Sequence, residues 1–163
     1  ECLCRSSNLY PCLTADNVRK EYYSYHEAQG GNWFSDRLIY TTGITVFKDD
    51  QTVPQMLDKA DWFRVDVITS AAPYLLGVWD PDPDEVKQVF KGRIQNILET
   101  AVDNGVVVIV LGAFGCGAFG NPPKIVAQAF REIIDEGDYT HKIPYIVFAF
   151  KKPTGKLLCH THS

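Results

Sequence analysis

The sequence predicts an α/β layered sandwich, one domain in extent, with at least part of its sheet parallel. Two observations carry this. Apolar strand-like segments alternate with two amphipathic helical segments through the second half of the chain, the order expected of strand–helix–strand units. Between those helices lies Val106–Leu111 (VVVIVL), a short unbroken apolar run that reads as a central strand buried on both faces. The size agrees: 163 residues, 45% hydrophobic and 22% charged, make an ordinary globular composition. A chain of this length buries roughly two-thirds of its unfolded surface.

The elements follow in order. Residues 14–29 are polar and aromatic, with Asp16 as a helix N-cap candidate. Arg37–Phe47 (RLIYTTGITVF) is rich in β-branched and aromatic residues and reads as one or two strands around Gly43, closed by a turn at Lys48-Asp49-Asp50. Phe63, Val65 and Val67 alternate with Arg64 and Asp66, a half-buried strand ending near Ala72-Pro73. Gly77–Asp84, with Pro81 and Pro83, is a loop, and Asp84 is expected to cap the next helix. Val86, Phe90, Ile94, Ile97, Leu98 and Ala101 share one face of that helix, and Asn104-Gly105 stops it. After the valine-rich strand, Asn121 as N-cap and Pro122 as first helical residue open a second helix through Ile125, Ala129, Phe130, Ile133 and Ile134, ended by Gly137. Tyr145–Phe150 (YIVFAF) is the last predicted strand. Crossovers through the two helices would make the last three strands neighbours or near neighbours.

Charge and cysteine content narrow the function. Sixteen basic against 20 acidic residues leave a formal charge of −4, which argues against a protein gripping nucleic acid through its phosphates. No apolar run approaches the ~20 residues that span a bilayer, and no signal peptide is expected. Five cysteines without a CxxC pair make a poor disulfide or structural zinc set, so a reducing cytoplasmic setting, or a nuclear one in a eukaryote, is expected. Cys159-His160-Thr161-His162 packs soft ligands together, but this polar tail is expected to be frayed rather than metal-bound. The only methionine is Met56 and the chain begins at Glu1, so a processed, cleaved or incomplete chain is expected.

The most informative stretch is Gly112-Ala113-Phe114-Gly115-Cys116-Gly117-Ala118-Phe119-Gly120. It joins the carboxyl end of a strand to a helix N-terminus, where open α/β sheets bind ligands. Glycines let a ligand approach the backbone and turn N–H groups toward it, and the helix dipole favours an anion such as phosphate. The two phenylalanines point to ring faces offered to a sugar or base. A tight turn that needs glycine for geometry alone is the plainer reading.

Residues 115–120 also spell GxGxxG, which raises a nicotinamide-dependent dehydrogenase. Two checks count against it. The next strand ends in Phe150-Lys151-Lys152, without the acid that would hold a ribose, and Asn121-Pro122-Pro123 delays the helix past the motif. Cys116 near a helix N-terminus could be a nucleophile. His26 and His141 lie far off in sequence, and a small side chain tolerated in a tight loop is the simpler role.

Four segments resemble the bacterial-type poly(ADP-ribose) glycohydrolases, a branch of the macrodomain fold. They are Glu1–Tyr10 (ECLCRSSNLY), the pair Leu38-Ile39-Tyr40 and Val46–Asp50, then Val67–Pro73 (VITSAAP), and most specifically Leu111–Pro122 (LGAFGCGAFGNP). They span nearly the whole chain in the family's order. The resemblance implies a three-layer α/β/α macrodomain-like sandwich with a mixed sheet, residues 1–163 forming one such domain without its N-terminal strands. The glycine loop would bind the diphosphate of ADP-ribose, Phe119 would pack on the distal ribose and orient the scissile bond, and Thr69 and Ser70 would sit near the nucleotide. Glu1 would align with the second glutamate of the family's Gln-Glu-Glu catalytic sequence and act as general acid, then as base. Tyr74 stands where the family often has asparagine.

The implied activity is hydrolysis of ribose–ribose O-glycosidic bonds in poly(ADP-ribose). The alternative is a macrodomain that binds ADP-ribose without turnover. Neither needs a cofactor or a metal. The expected partners are ADP-ribose and poly(ADP-ribose) on modified proteins, with no direct nucleic-acid or membrane binding, and a monomer is expected.

Overall fold

The computed structural model describes residues 2–151 and 157–162. Its contacts fall into two units: residues up to Gly30 with Arg37–Ala71, and Gly31–Asp36 with everything from Ala72 on. The chain is a mixed α/β protein.

The first unit opens with α1 (Cys2–Ser6) and α2 (Leu9–Leu13). Next, α3 (Asp16–Val18) runs through a π-helical turn, Arg19–Tyr23, into α4 (Ser24–Gln29). Asp16 is the first helical residue rather than the cap, which is Ala15; its carboxylate still suits the positive helix end. Strand β1 (Leu38–Val46) pairs antiparallel with β2 (Phe63–Ser70), and a register shift between Thr41 and Ile44 keeps the Gly43 region within one strand. Asp66 fixes that irregularity, accepting from the Gly43 N–H at 2.7 Å and the Tyr40 hydroxyl at 2.6 Å. The hydroxyl bond to Asp66 is the main cause pushing the Tyr40 phenol up to about 12, and the same contact holds the Asp66 carboxyl below its ordinary value. Leu9 and Leu13 close over Ile44, while Asn8 exchanges hydrogen bonds with the Thr45 backbone at 3.3 and 2.8 Å.

The second unit holds α5 (Pro83–Asp103), β3 (Val108–Leu111), α6 (Pro123–Glu136), α7 (Tyr139–Lys142), β4 (Tyr145–Lys151) and β5 (Leu157–His162). Its sheet has the order β3-β4-β5, with β3 and β4 parallel and β5 antiparallel to β4. Helix α6 is the crossover that parallel neighbours need. The first crossover differs from expectation, because β2 pairs with β1 in a sheet of its own. The predicted apolar face of α5 is buried throughout. On the flank of α5, Lys91 pairs with Glu132 and Glu136 of α6 at 3.2 and 2.9 Å.

Three further expectations change. Strand β3 is not buried on both faces: Ile109 and Leu111 are buried, whereas Val108 and Val110 are 52% and 65% exposed. It lies at the edge of the described sheet, and an apolar run records hydrophobicity without recording what covers each face. The cap of α5 is Asp82, whose carboxylate accepts the Asp84 N–H at 3.0 Å, and Pro83, lacking an N–H, takes the first helical position. Asp82→Ala should lower stability by about 1 kcal/mol in thermal or denaturant unfolding. Finally, the tail read as frayed forms β5, since ladder pairing runs through the backbone and tolerates the polar sequence LLCHTH.

Arg93 has no precedent in the apolar pattern of α5, yet it is only 2% exposed. Its guanidinium meets the Asp36 carboxylate at 3.3 Å and donates to the Trp33 carbonyl. Asn96 adds a bond to the Asp36 carbonyl at 2.6 Å. Residues 31–36 are thereby strapped along α5.

Candidate active site

The glycine loop leaves β3 after Leu111 and reaches α6 at Pro123. Two turns shape it: the Cys116 N–H donates to the Ala113 carbonyl and the Gly120 N–H to the Gly117 carbonyl, both at 3.0 Å. Residues 72–76 hold it from behind. The Asn121 side-chain amide donates to the Pro73 and Gly115 carbonyls, each at 2.8 Å, and the Leu75 N–H donates to the Phe119 carbonyl at 2.8 Å. Asn121 is 2% exposed, so it clamps the loop and does not cap the helix; the cap is Pro122, in extended conformation. Donation to these two carbonyls outweighs a cap the helix can do without.

The four glycines separate into two kinds. Gly115 and Gly120 have φ of +69° and +72°, and both are crowded. A Cβ on Gly115 would lie 2.5 Å from both the Ala72 Cβ and the Asn121 amide nitrogen, and one on Gly120 would lie 3.1 Å from the Leu76 backbone. Those two serve the fold. A Cβ on Gly112 or Gly117 would meet nothing within 4 Å. The folded chain alone does not require glycine at either position, whereas a ligand lying against the backbone would. Among the described residues, the N–H groups of Ala113, Gly117, Ala118 and Phe119 donate to no protein acceptor. These donors, ahead of the N-terminus of α6, suit an anion.

The aromatic residues divide as well. Phe114 meets Phe90 edge to face at 5.7 Å, which ties its ring to the packing of α5. Phe119 meets Tyr74 edge to face at 5.4 Å. The Tyr74 N–H in turn donates to the Asn32 carbonyl at 2.7 Å, tying this ring pair to the strap on α5. Burial pushes the Cys116 thiol up, which disfavours the thiolate a nucleophile needs. His141 is engaged elsewhere, with Nδ1 2.5 Å from the Asp138 carboxylate.

Beside the loop, between α6 and the carboxyl end of β4, lies a cavity of about 600 Å³ lined by Gly112, Ala113, Cys116, Phe130, Phe148 and Phe150. Phe148 meets Phe130 edge to face at 5.3 Å and stacks with Phe150 at 6.0 Å. Sequence reasoning missed these two β4 residues. Their signal was the spacing of two at the end of a strand beside the glycine loop, which puts both rings on one face.

The remaining predicted residues belong to the first unit or lie outside the described residues. Thr69 and Ser70 end β2, opposite Ile39 and Leu38 in the first unit. Glu1 lies outside the described residues, as do the side chains of Cys159, His160 and His162. No group of three or more His, Cys, Asp or Glu among the described residues could hold a metal ion. No helix among them is long and apolar enough to cross a membrane.

Residues 1–49 match the family model for the catalytic domain of microbial-type PARG, that is, poly(ADP-ribose) glycohydrolase. The poly(ADP-ribose) glycohydrolase of Deinococcus radiodurans, solved in complex with ADP-ribose, superposes with a TM-score of 0.78 at 31% identity, covering 93% of this chain and 60% of that one. This chain is similar to the microbial-type poly(ADP-ribose) glycohydrolases. The glycohydrolase of Thermomonospora curvata gives a TM-score of 0.79 at 35% identity, over 90% of this chain and 52% of its own. An uncharacterized protein of Thermococcus kodakarensis is 36% identical over 70 residues, 43% of this chain and 37% of that protein. The chain therefore spans about three-fifths or less of these glycohydrolases. The α/β macrodomain-like fold expected from the four-segment resemblance agrees with these similar structures.

Proposed function

We propose that the protein containing this chain hydrolyses the ribose–ribose O-glycosidic bonds of poly(ADP-ribose), and that residues 1–163 form one macrodomain-like domain. The observation that carries the reading is the open side of the glycine loop, where a Cβ on Gly112 or Gly117 would meet nothing within 4 Å and the Ala113, Gly117, Ala118 and Phe119 amides have no acceptor among the described residues. A diphosphate lying there would take those N–H bonds, and the neighbouring apolar cavity is of a size and lining suited to a nucleobase. Thr69 and Ser70 would contribute to nucleotide binding from the end of β2.

The chemistry follows the glutamate assigned by resemblance. Glu1 protonates the oxygen of the leaving ribose hydroxyl as the C–O bond breaks, and the sugar develops oxocarbenium character stabilised by the adjacent diphosphate. Water then attacks the anomeric carbon and returns its proton to the Glu1 carboxylate. One carboxylate thus serves both halves, unlike the paired carboxylates of most glycosidases. Phe119, held by Tyr74, packs on the ribose and fixes the angle of the breaking bond.

Release of ADP-ribose from radiolabelled polymer by the intact protein tests the proposal. Calorimetric binding of ADP-ribose without release would favour a non-catalytic reader. Phe119→Ala should lower turnover on the order of tenfold to hundredfold while weakening ADP-ribose binding much less, because positioning acts mainly on the transition state. Equal losses of both would remove the orienting role.

A further inference from the structure

The segment that holds the glycine loop from behind continues into a short loop ending in a bare indole. Leu75 is 5% exposed and hydrogen-bonded to Phe119; its carbonyl then accepts the Val78 N–H at 3.0 Å, closing a turn. Trp79 follows, 95% exposed, with no hydrogen bond or ring contact among the described residues. Asp80, at φ +47°, and the Asp82 cap of α5 fix the far side. The indole is therefore presented from a loop anchored at both ends. Exposure of such a ring forgoes one of the larger favourable terms available to a fold.

Distance and substrate chemistry say what the ring would meet. Trp79 lies four residues beyond Leu75, at most about 14 Å along the chain even if extended, and the turn makes it shorter. In poly(ADP-ribose) the scissile bond joins one unit to the adenosine ribose of the next, so the leaving unit carries an adenine one sugar away from the bond. We infer that Trp79 is a stacking platform for the adenine of that leaving unit, a second nucleobase subsite distinct from the cavity beside the loop. The inference rests on the proposed polymer substrate. Stacking on an indole is tolerant of neighbouring sequence and strong enough to separate oligomer from monomer.

Stopped-flow fluorescence anisotropy, which reads binding before turnover, compares dye-labelled ADP-ribose with a dye-labelled two- or three-unit oligomer on the intact protein. The parent should bind the oligomer roughly five- to hundredfold tighter than ADP-ribose. In Trp79→Ala that ratio should fall toward one with ADP-ribose affinity unchanged, and Trp79→Tyr should restore much of it. Equal ratios in parent and Trp79→Ala would overturn the inference. So would a Trp79→Ala defect confined to a protein carrying a single ADP-ribose, which would assign the ring to the modified protein. Because the readout is a binding ratio, absence of turnover would count against the hydrolase reading and leave the stacking result standing. Failure of ADP-ribose itself to bind would sink both.

Discussion

Gly117→Ala should leave the fold as stable as the parent and still weaken ADP-ribose binding tenfold to a hundredfold, roughly the worth of one charge-assisted hydrogen bond. The added methyl meets no protein atom within 4 Å, so unfolding curves should move by less than about 0.5 kcal/mol. It would stand where the diphosphate lies and hold it off the Gly117 and Ala118 amides. Gly115→Ala is the control with the opposite cause. There the methyl overlaps Ala72 and Asn121 at 2.5 Å with φ at +69°, so stability should fall by about 2–4 kcal/mol and binding should fail with it. Calorimetry paired with denaturant unfolding separates the two. Undiminished binding by a stable Gly117→Ala protein would mean that the ligand does not touch this side of the loop.

The second large effect is expected at Glu1, where Glu1→Gln in the intact protein should cut polymer hydrolysis by about 10²–10⁴-fold. The amide is nearly isosteric, so ADP-ribose affinity should change little. It cannot supply the proton to the leaving oxygen or take one from water. The decisive comparison is release of ADP-ribose from labelled polymer against calorimetric affinity on the same preparation. Retained hydrolysis would move the acid to another residue; loss of both quantities would make Glu1 a binding group.

Much of this was legible because the physics involved is periodic. The buried face of α5 from Val86 to Ala101 follows from spacings of three and four, and the strand at Tyr145–Phe150 from a continuous apolar run. The glycine loop could be placed because strand, loop and helix follow one another directly. What escaped was decided by partners far away in sequence. Asn121 before Pro122 looks like a helix cap, and only the folded chain brings the Pro73 carbonyl to its amide. Arg93 interrupts no pattern, yet it is buried because the carbonyl of Trp33 and the carboxylate of Asp36 reach it. The division among the glycines is invisible in a string of letters, since crowding at Gly115 and openness at Gly117 depend on residues 72–76 and 121. Phe114 and Phe119 look equivalent in sequence, and one meets Phe90 while the other meets Tyr74.

A cradle made of peptide N–H groups also has no proton of its own to gain or lose. Within residues 112–120 the only titratable side chain is Cys116, and burial keeps its thiol neutral to higher pH than usual. Capture of the diphosphate should therefore be indifferent to pH across the range in which a carboxyl group ionises. In the proposed mechanism a limb in a rate profile would then come from groups outside this loop, the assigned acid among them, and the loop would supply the flat baseline.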